Sequence, residues 1–409
     1  MVEVTEPTVV IVGAGPTGLS AAAELRRLGV HGVVVVERDK EPGGIPRFTD
    51  HQGFGIQDLR RSMTGPRYAT SLVRQATALG VDVRCAVTAT KLADGSVELA
   101  GPAGIEVVRP RVTILATGAR ERPRSARLIP GDRGAGVMTT GQLQQRAMAD
   151  RPLGRRAVIV GAEHVSYSAA MLLRHQGASV VAMVTEQPGH QSVAGADIVG
   201  RMWLKAPLMT ATKVVEIIGR RRVEGVVLEE MSTKRRRRVD ADTVVLSGDW
   251  IPDNELARRS GLEMDPMTRG PLVDASGRTS TSSILAGGNL VHPVETAGTC
   301  SLEGRLLARA LAAGLADDPR SATGVRLHVR APVAWAWPGR LDPTAVPPHV
   351  LFQLSTTTTA RHAVMRQGTR VLGTTRLRHG RPGRSLRIPG TVAASVDPGG
   401  EDVTLEVES

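Results

Sequence analysis

Short apolar runs of four or five residues, each followed by a glycine-bearing turn and then by apolar positions at helical spacing, recur along the first three quarters of the chain. Residues 9 to 36 read as a strand VVIV, a glycine turn, an amphipathic helix PTGLSAAAELRRLG and a second strand GVVVV, which together make a βαβ unit. Pro16 suits the first helical turn, where a missing N–H is no loss, and Gly29 suits a left-handed helix end. A unit of the same shape begins at Arg155, with AVIV, a turn, the helix SYSAAMLLRHQG and the strand SVVAMV. The repeat predicts two doubly wound α/β domains. Further strands are expected within VTILATGA (112–119), DTVVLSGDWIPD (242–253) and SSILAGGNLVH (282–292), the last leading into a helix from about Val294 to Ala316. Past DDPRSATG the pattern changes to alternating runs such as HVLFQLS, RVLGTTRLR and DVTLEV between Pro and Gly turns, which predicts a small β-rich C-terminal module.

The turn of the first unit is GAGPTG, a full G-x-G-x-x-G placed after a strand and at the opening of a helix. Gly13 permits the tight turn, Gly15 lets backbone approach a pyrophosphate, and Gly18 lets helix pack on strand. The helix N-terminus adds N–H groups and positive potential, with Pro16 and Thr17 in its first turn. Glu37 ends the second strand, 24 residues beyond Gly13, where an acid accepts from a ribose diol, with Arg38 beside it. The unit is therefore read as Rossmann-like and dinucleotide-binding.

Composition narrows the function. The net charge is +12, yet only five residues are Lys and aromatic residues make up 2%, so a nucleic-acid partner is not expected. The arginine runs GRRRVEG (219–225) and TKRRRRVD (233–240) flank VVLEE and read as solvated strand ends and a hairpin tip, with a docking patch for an acidic partner as the alternative. No run has the length of a membrane span and the start MVEVTEPTVV is acidic, which points to a cytoplasmic protein. Cys85 and Cys300 are too few and too far apart for a redox pair, a metal site or an iron–sulfur cluster.

GAGPTG, ERDKEPGGIPR (37–47), ATGA (116–119), the second βαβ unit and ILAGGNL (284–290) together resemble the flavoproteins with two dinucleotide-binding domains, the pyridine nucleotide-disulfide oxidoreductase-like superfamily. The resemblance implies an FAD-binding domain from 1–120 and 250–318, with an NAD(P)-binding-like domain inserted at 121–249. It leaves residues 325–409 unmatched. It also implies that Glu37 takes the adenosine ribose, that Gly43 and Gly44 lie beside the cofactor, and that Val87 offers backbone to adenine. Ala116, Thr117 and Gly118 would close the phosphate region. Gly288 and Asn289 would reach the ribityl chain, with Thr296 and Ala297 at the flavin's pyrimidine edge and Glu295 as a first-turn acid. Asn289 stands where the superfamily has Asp; it keeps an acceptor oxygen and loses the charge.

The second unit departs further. In GAEHVS (161–166) only Gly161 remains of the three glycines; Glu163 replaces the second and Ser166 the third. A carboxylate there opposes a diphosphate, by about 1 to 4 kcal/mol for like charges ~4 Å apart, and Ser166 is expected to crowd helix against strand. Glu186, past the following strand, is either a ribose acceptor or an exposed acid. The expectation is a retained scaffold with NAD(P)H binding impaired.

Longer stretches, GGIPRFTDHQGFGIQDLRRSMTGPRY (43–68), GDWIPDNELA (248–257) and AGGNLVHPVETAGTCSLEGR (286–305), resemble the FAD subunit of multi-subunit amine dehydrogenases, the group of opine oxidase, dye-linked proline dehydrogenase and hydrogen cyanide synthase. That resemblance implies electrons taken from an amine-type small molecule or an electron-donor subunit. It implies a second flavoprotein subunit and an iron–sulfur protein as partners. Two other readings stay open: a self-contained NAD(P)H-dependent flavoprotein reductase, in which arginines near 219–238 compensate for the lost glycines, and a non-catalytic assembly subunit. For proton transfer the candidates are His51 and His292, set against the plainer reading of polar loop histidines. Cys300 reads as a small core residue, and Tyr68 and Trp250 as packing or substrate-facing groups.

Overall fold

A computed structural model describes residues 4–93, 95–192, 202, 204–314, 321–377 and 380–408. Expectations that fall on residues 1–3, 315–318, 378, 379 and 409, including the helix end at Ala316, lie outside the described residues.

Strand β1 (Val9–Val12) is buried at every position and leads through the glycine turn into helix α1 (Pro16–Arg27). Pro16 opens the helix, and Gly29 beyond it adopts φ +83°, as a left-handed end requires. Strand β2 (Val33–Glu37) pairs parallel with β1. Helix α2 (Gly65–Ala78) and strands β3 (Asp82–Cys85) and β4 (Val112–Leu115) follow, and the antiparallel strands Thr88–Ala93, Ser96–Gly101 and Gly104–Val108 lie between β3 and β4. The ribbon Ala119–Glu121 with Trp250–Pro252 carries the chain out to the second unit and back.

That unit is built from β5 (Val137–Thr139), α3 (Thr140–Met148), β6 (Arg156–Val160), α4 (His164–His175), β7 (Ser179–Val184), β8 (Leu208–Met209) and β9 (Thr243–Leu246). Its parallel sheet runs β5-β9-β6-β7-β8, and the antiparallel strands Thr212–Ile218, Gly225–Glu230 and Arg236–Asp240 stand beside it. After the return, β10 (Ile284–Ala286) completes the first sheet in the order β10-β4-β1-β2-β3, and α5 (Ala297–Gly314) packs on α1. The second doubly wound unit is thus inserted into the first. The basic run at 233–240, read as solvated strand ends and a hairpin tip, follows a hairpin turn and enters an exposed strand from Arg236 to Asp240, with Arg236 2.8 Å from Glu229.

The C-terminal module has a five-stranded sheet and a three-stranded sheet closed over a core that includes Phe352, Met365, Leu405 and Leu341. Trp335, Trp337 and Leu351 bury themselves against Val10, Val34, Leu290 and Val291 of the first unit. No helix among the described residues is long and apolar enough to cross a membrane.

The contact between α1 and α5 leaves no room for a side chain at Gly304, where an added Cβ would lie 2.2 Å from the Thr17 carbonyl oxygen. Overpacking of this kind costs about 1–3 kcal/mol, so Gly304→Ala should lower the urea unfolding midpoint correspondingly; an unchanged midpoint would contradict this packing.

Candidate functional site

The carboxyl ends of β1, β2, β4 and β10 meet at the first glycine turn. Gly13 has φ +110° and donates its N–H to Val36 O at 2.8 Å. A Cβ on Gly13 would stand 2.4 Å from Ala116 O, and one on Gly18 2.0 Å from Gly13 O, so both glycines are dictated by packing. Gly15 differs, because a Cβ there would meet nothing within 4 Å. Open space therefore lies directly over its backbone, and no side chain caps the α1 N-terminus. An open, uncapped helix start beneath a glycine turn fits a diphosphate.

Residues from distant segments converge on this turn. Gly43 donates to Ala14 O at 2.8 Å, and a Cβ on Gly44 would lie 2.9 Å from Gly15 Cα. Glu37 accepts from Ala14 N (2.9 Å) and Asp39 N (3.0 Å), which fixes its carboxylate beside the turn. Thr117 donates its hydroxyl to Asp253 O at 2.7 Å, Asp253 returns its N–H to Gly118 O at 2.9 Å, and Arg38 pairs with the Asp253 carboxylate at 2.9 Å. Val87 donates its N–H to Glu37 O at 2.9 Å. Gly288, at φ +69°, presses so close to Thr17 that a Cβ would lie 2.2 Å from the hydroxyl.

Asn289 is committed within its loop. Its Oδ1 accepts from Glu295 N at 2.7 Å while its Nδ2 donates to Glu295 O at 3.2 Å. An aspartate could make only the first of these bonds, which gives a physical reason for the amide. Thr296 donates to Gln57 Oε1 at 2.9 Å, and Gln57 also abuts Gly298, so the segment around Gln57 overlies the start of α5, where Ala297 lies.

The second turn keeps the frame but fills it. Gly161 has φ +141° and donates to Val184 O at 2.8 Å, as Gly13 does to Val36. The Glu163 carboxylate folds back over the turn: Ala162 N donates to Oε2 at 3.0 Å, and the Ser166 and Ser247 hydroxyls donate to Oε1 at 2.8 and 2.6 Å. Arg127 braces this seat by donating to Ser247 O (2.9 Å) and Gly248 O (2.6 Å). The amide that Glu37 serves in the first turn, Ala14 N, has its counterpart in Ala162 N, which Glu163 takes; Glu186 is exposed. Ser166, expected as a crowding residue, is fully buried and holds the carboxylate in place.

His51 and His292 are the sequence's candidates for proton transfer, with polar loop histidines as the plainer reading. His292 corrects that reading: it is fully buried, 2.8 Å from Glu303, with its ring stacked at 6.2 Å on Trp335 and edge-on at 5.2 Å to Trp337. It anchors the C-terminal module. His51 bridges the two units, with Nδ1 2.8 Å from Gln52 O and Nε2 3.1 Å from the Ser168 hydroxyl on α4. Tyr68 is buried and donates to Asp58 at 2.7 Å, and burial together with that carboxylate pushes its phenol up. Burial, with the Glu303 and Glu295 charges, likewise pushes the Cys300 thiol up and away from thiolate chemistry. Trp250 lies half-buried in the connecting ribbon. Sequence reading missed Ser247 and Arg127, which lie in loops far along the chain from Glu163 and carry no motif.

The family model for pyridine nucleotide-disulphide oxidoreductases matches residues 7–304. The chain belongs to that family. The open first turn is compatible with FAD as the cofactor. An alkyl hydroperoxide reductase subunit of Pseudomonas putida is 27% identical over 297 residues, covering 69% of this chain and 53% of that protein. An opine oxidase subunit of Agrobacterium tumefaciens is 26% identical over 341 residues, covering 75% of this chain and 65% of that protein. The chain thus spans about half of the first relative and less than two thirds of the second. Thioredoxin reductase of T. acidophilum shares the fold, with a TM-score of 0.65 and 21% identity over 76% of this chain and 99% of that one.

Burial opposes charge on His292, but the Glu303 carboxylate outweighs it and the imidazole titrates above its ordinary value. The pair's contribution to stability is therefore complete below about pH 6.5 and is lost as pH rises through the raised folded value. Thermal unfolding of the wild type and His292→Gln across neutral pH should show the largest wild-type advantage on the acid side; a gap independent of pH would refute the ion pair.

Proposed function

We propose that this chain is the FAD-binding subunit of a dehydrogenase that takes electrons from an amine or amino-acid substrate, or from a partner subunit that oxidises one, and passes them onward. In this reading residues 1–120 with 250–318 hold FAD, 121–249 form the altered second domain and 325–409 an added module. Gly13, Gly15, Gly18 and the α1 N-terminus would bind the diphosphate and Glu37 the adenosine ribose. The turns 43–44, 116–118 and 288–289 would line the rest of the cofactor. FAD supplies a two-electron acceptor; the chain's own part is to seat it, exclude water and keep the second turn closed.

The observation that carries the reading is the Glu163 carboxylate lying where a nicotinamide diphosphate would approach. A subunit that cannot take electrons from NAD(P)H needs another donor, and similarity to the opine oxidase subunit supports an amine-type one. Both cysteines of the chain are free and Cys300 is buried, so no dithiol is available for a disulfide relay. A second flavoprotein subunit and an iron–sulfur protein are the proposed partners. The similarity to reductases favours the rival of a self-contained NAD(P)H-dependent enzyme.

Anaerobic mixing of the FAD-loaded protein with NADH separates the two. The proposal predicts no rapid bleaching of the flavin, whereas rapid bleaching supports the reductase. A purified chain that stays colourless with added FAD would instead support an assembly role. Glu163→Gly combined with Ser166→Gly should tighten NADH binding by ~10-fold or more, a gain of about 1.4 kcal/mol; titration showing no gain would clear those residues of blocking the site.

A further inference from the structure

A cavity of about 480 Å³ opens on the inserted unit at the end opposite its glycine turn. Its walls are the segment entering β5, one face of α3, residues 151–153 ahead of β6, Arg222, and Thr243 at the start of β9. Doubly wound domains receive dinucleotides at the carboxyl ends of their strands. This cavity faces the amino ends of β5, β6 and β9, so it is separate from both nucleotide turns.

Its charge is one-sided. Arg146, Arg151 and Arg222 line it, and no carboxylate occurs among the described lining residues. Arg146 donates Nη2 to Pro152 O at 3.0 Å and keeps a buried Nε with no acceptor. Asp242 lies close enough to Arg222 to feel its charge, but its carboxylate accepts from the Arg155 N–H at 2.9 Å, the Arg156 N–H at 3.1 Å and the Thr243 hydroxyl at 3.0 Å. The carboxyl end of α3 would repel an anion if its carbonyls were free. Three of them are engaged: Ala149, Asp150 and Arg151 donate to the carbonyls of Gln145, Ala147 and Arg146 at 3.1, 3.1 and 2.9 Å. Val137, Met138 and Leu153 supply an apolar wall.

Guanidinium forks match the oxygens of a phosphate, and small-molecule sites typically span about 300–1,000 Å³. We propose that this cavity binds a phosphate monoester of mononucleotide size, its phosphate on the three arginines and its organic part against Val137, Met138 and Leu153. The site is independent of the FAD assignment and of the donor that reduces the flavin.

Isothermal titration calorimetry of the full chain, saturated with FAD, against adenosine monophosphate tests the proposal. The wild type should bind saturably, and Arg146→Gln with Arg222→Gln should weaken binding by ~10-fold or more. Ala149→Glu, an exposed substitution that keeps every arginine and sets a carboxylate on the wall, should abolish it. Circular dichroism confirms that each variant is folded. No saturable binding by the wild type, or unchanged affinity in either folded variant, would overturn the assignment. Binding of a hexaglutamate peptide in place of the nucleotide would also overturn it, by assigning the cavity to an acidic protein partner.

Discussion

Backbone against backbone, without intervening side chains, is the constraint around which the N-terminal unit is arranged. The Gly13 and Gly18 positions admit no Cβ because Ala116 O and Gly13 O already stand there, and Gly304 admits none because α5 rests on the Thr17 carbonyl. These approaches fix α1 against β1, β4 and α5 at once. The loops that follow β2, β4 and β10 are thereby drawn to one place, where Gly15 and Gly118 face open space. A site of this kind is shaped by the absence of side chains, so its precision comes from the sheet and not from flexible groups.

The second unit keeps the same frame but fills its turn. A carboxylate drawn partly out of water needs donors around it, and the half-buried Glu163 has three: one amide and two serine hydroxyls. Ser166 and Ser247 are buried, and Arg127 holds the backbone that carries Ser247. The substitution at the second glycine is thus part of a formed hydrogen-bonded seat. A diphosphate arriving there would meet both a filled volume and a charge of its own sign.

Most of the α/β framework was legible in the sequence, because continuous apolar runs, helical spacing and glycine turns each have a direct backbone cause. Pro16 and Gly29 stand at the helix ends that their chemistry predicts. The antiparallel strands at 88–108 and His362–Gln367 in the C-terminal module carried weaker alternation and were not read. His292 looked like a loop histidine because its burial depends on Trp335 and Trp337, which reach it only through the docking of another module. The loss of charge at Asn289 was visible, but its pairing with Glu295 needed the loop's shape. The seat of Glu163 was hidden for a similar reason, since Ser247 enters from the end of β9, 84 residues away.

The asymmetry between the two turns is tested most directly by a crystal structure of the FAD-loaded protein soaked with NADH. The account predicts one dinucleotide per chain, its diphosphate over Gly15, and Glu163 still bonded to Ser166 and Ser247. A second diphosphate lying on the Gly161 turn, with the Glu163 side chain displaced, would contradict it.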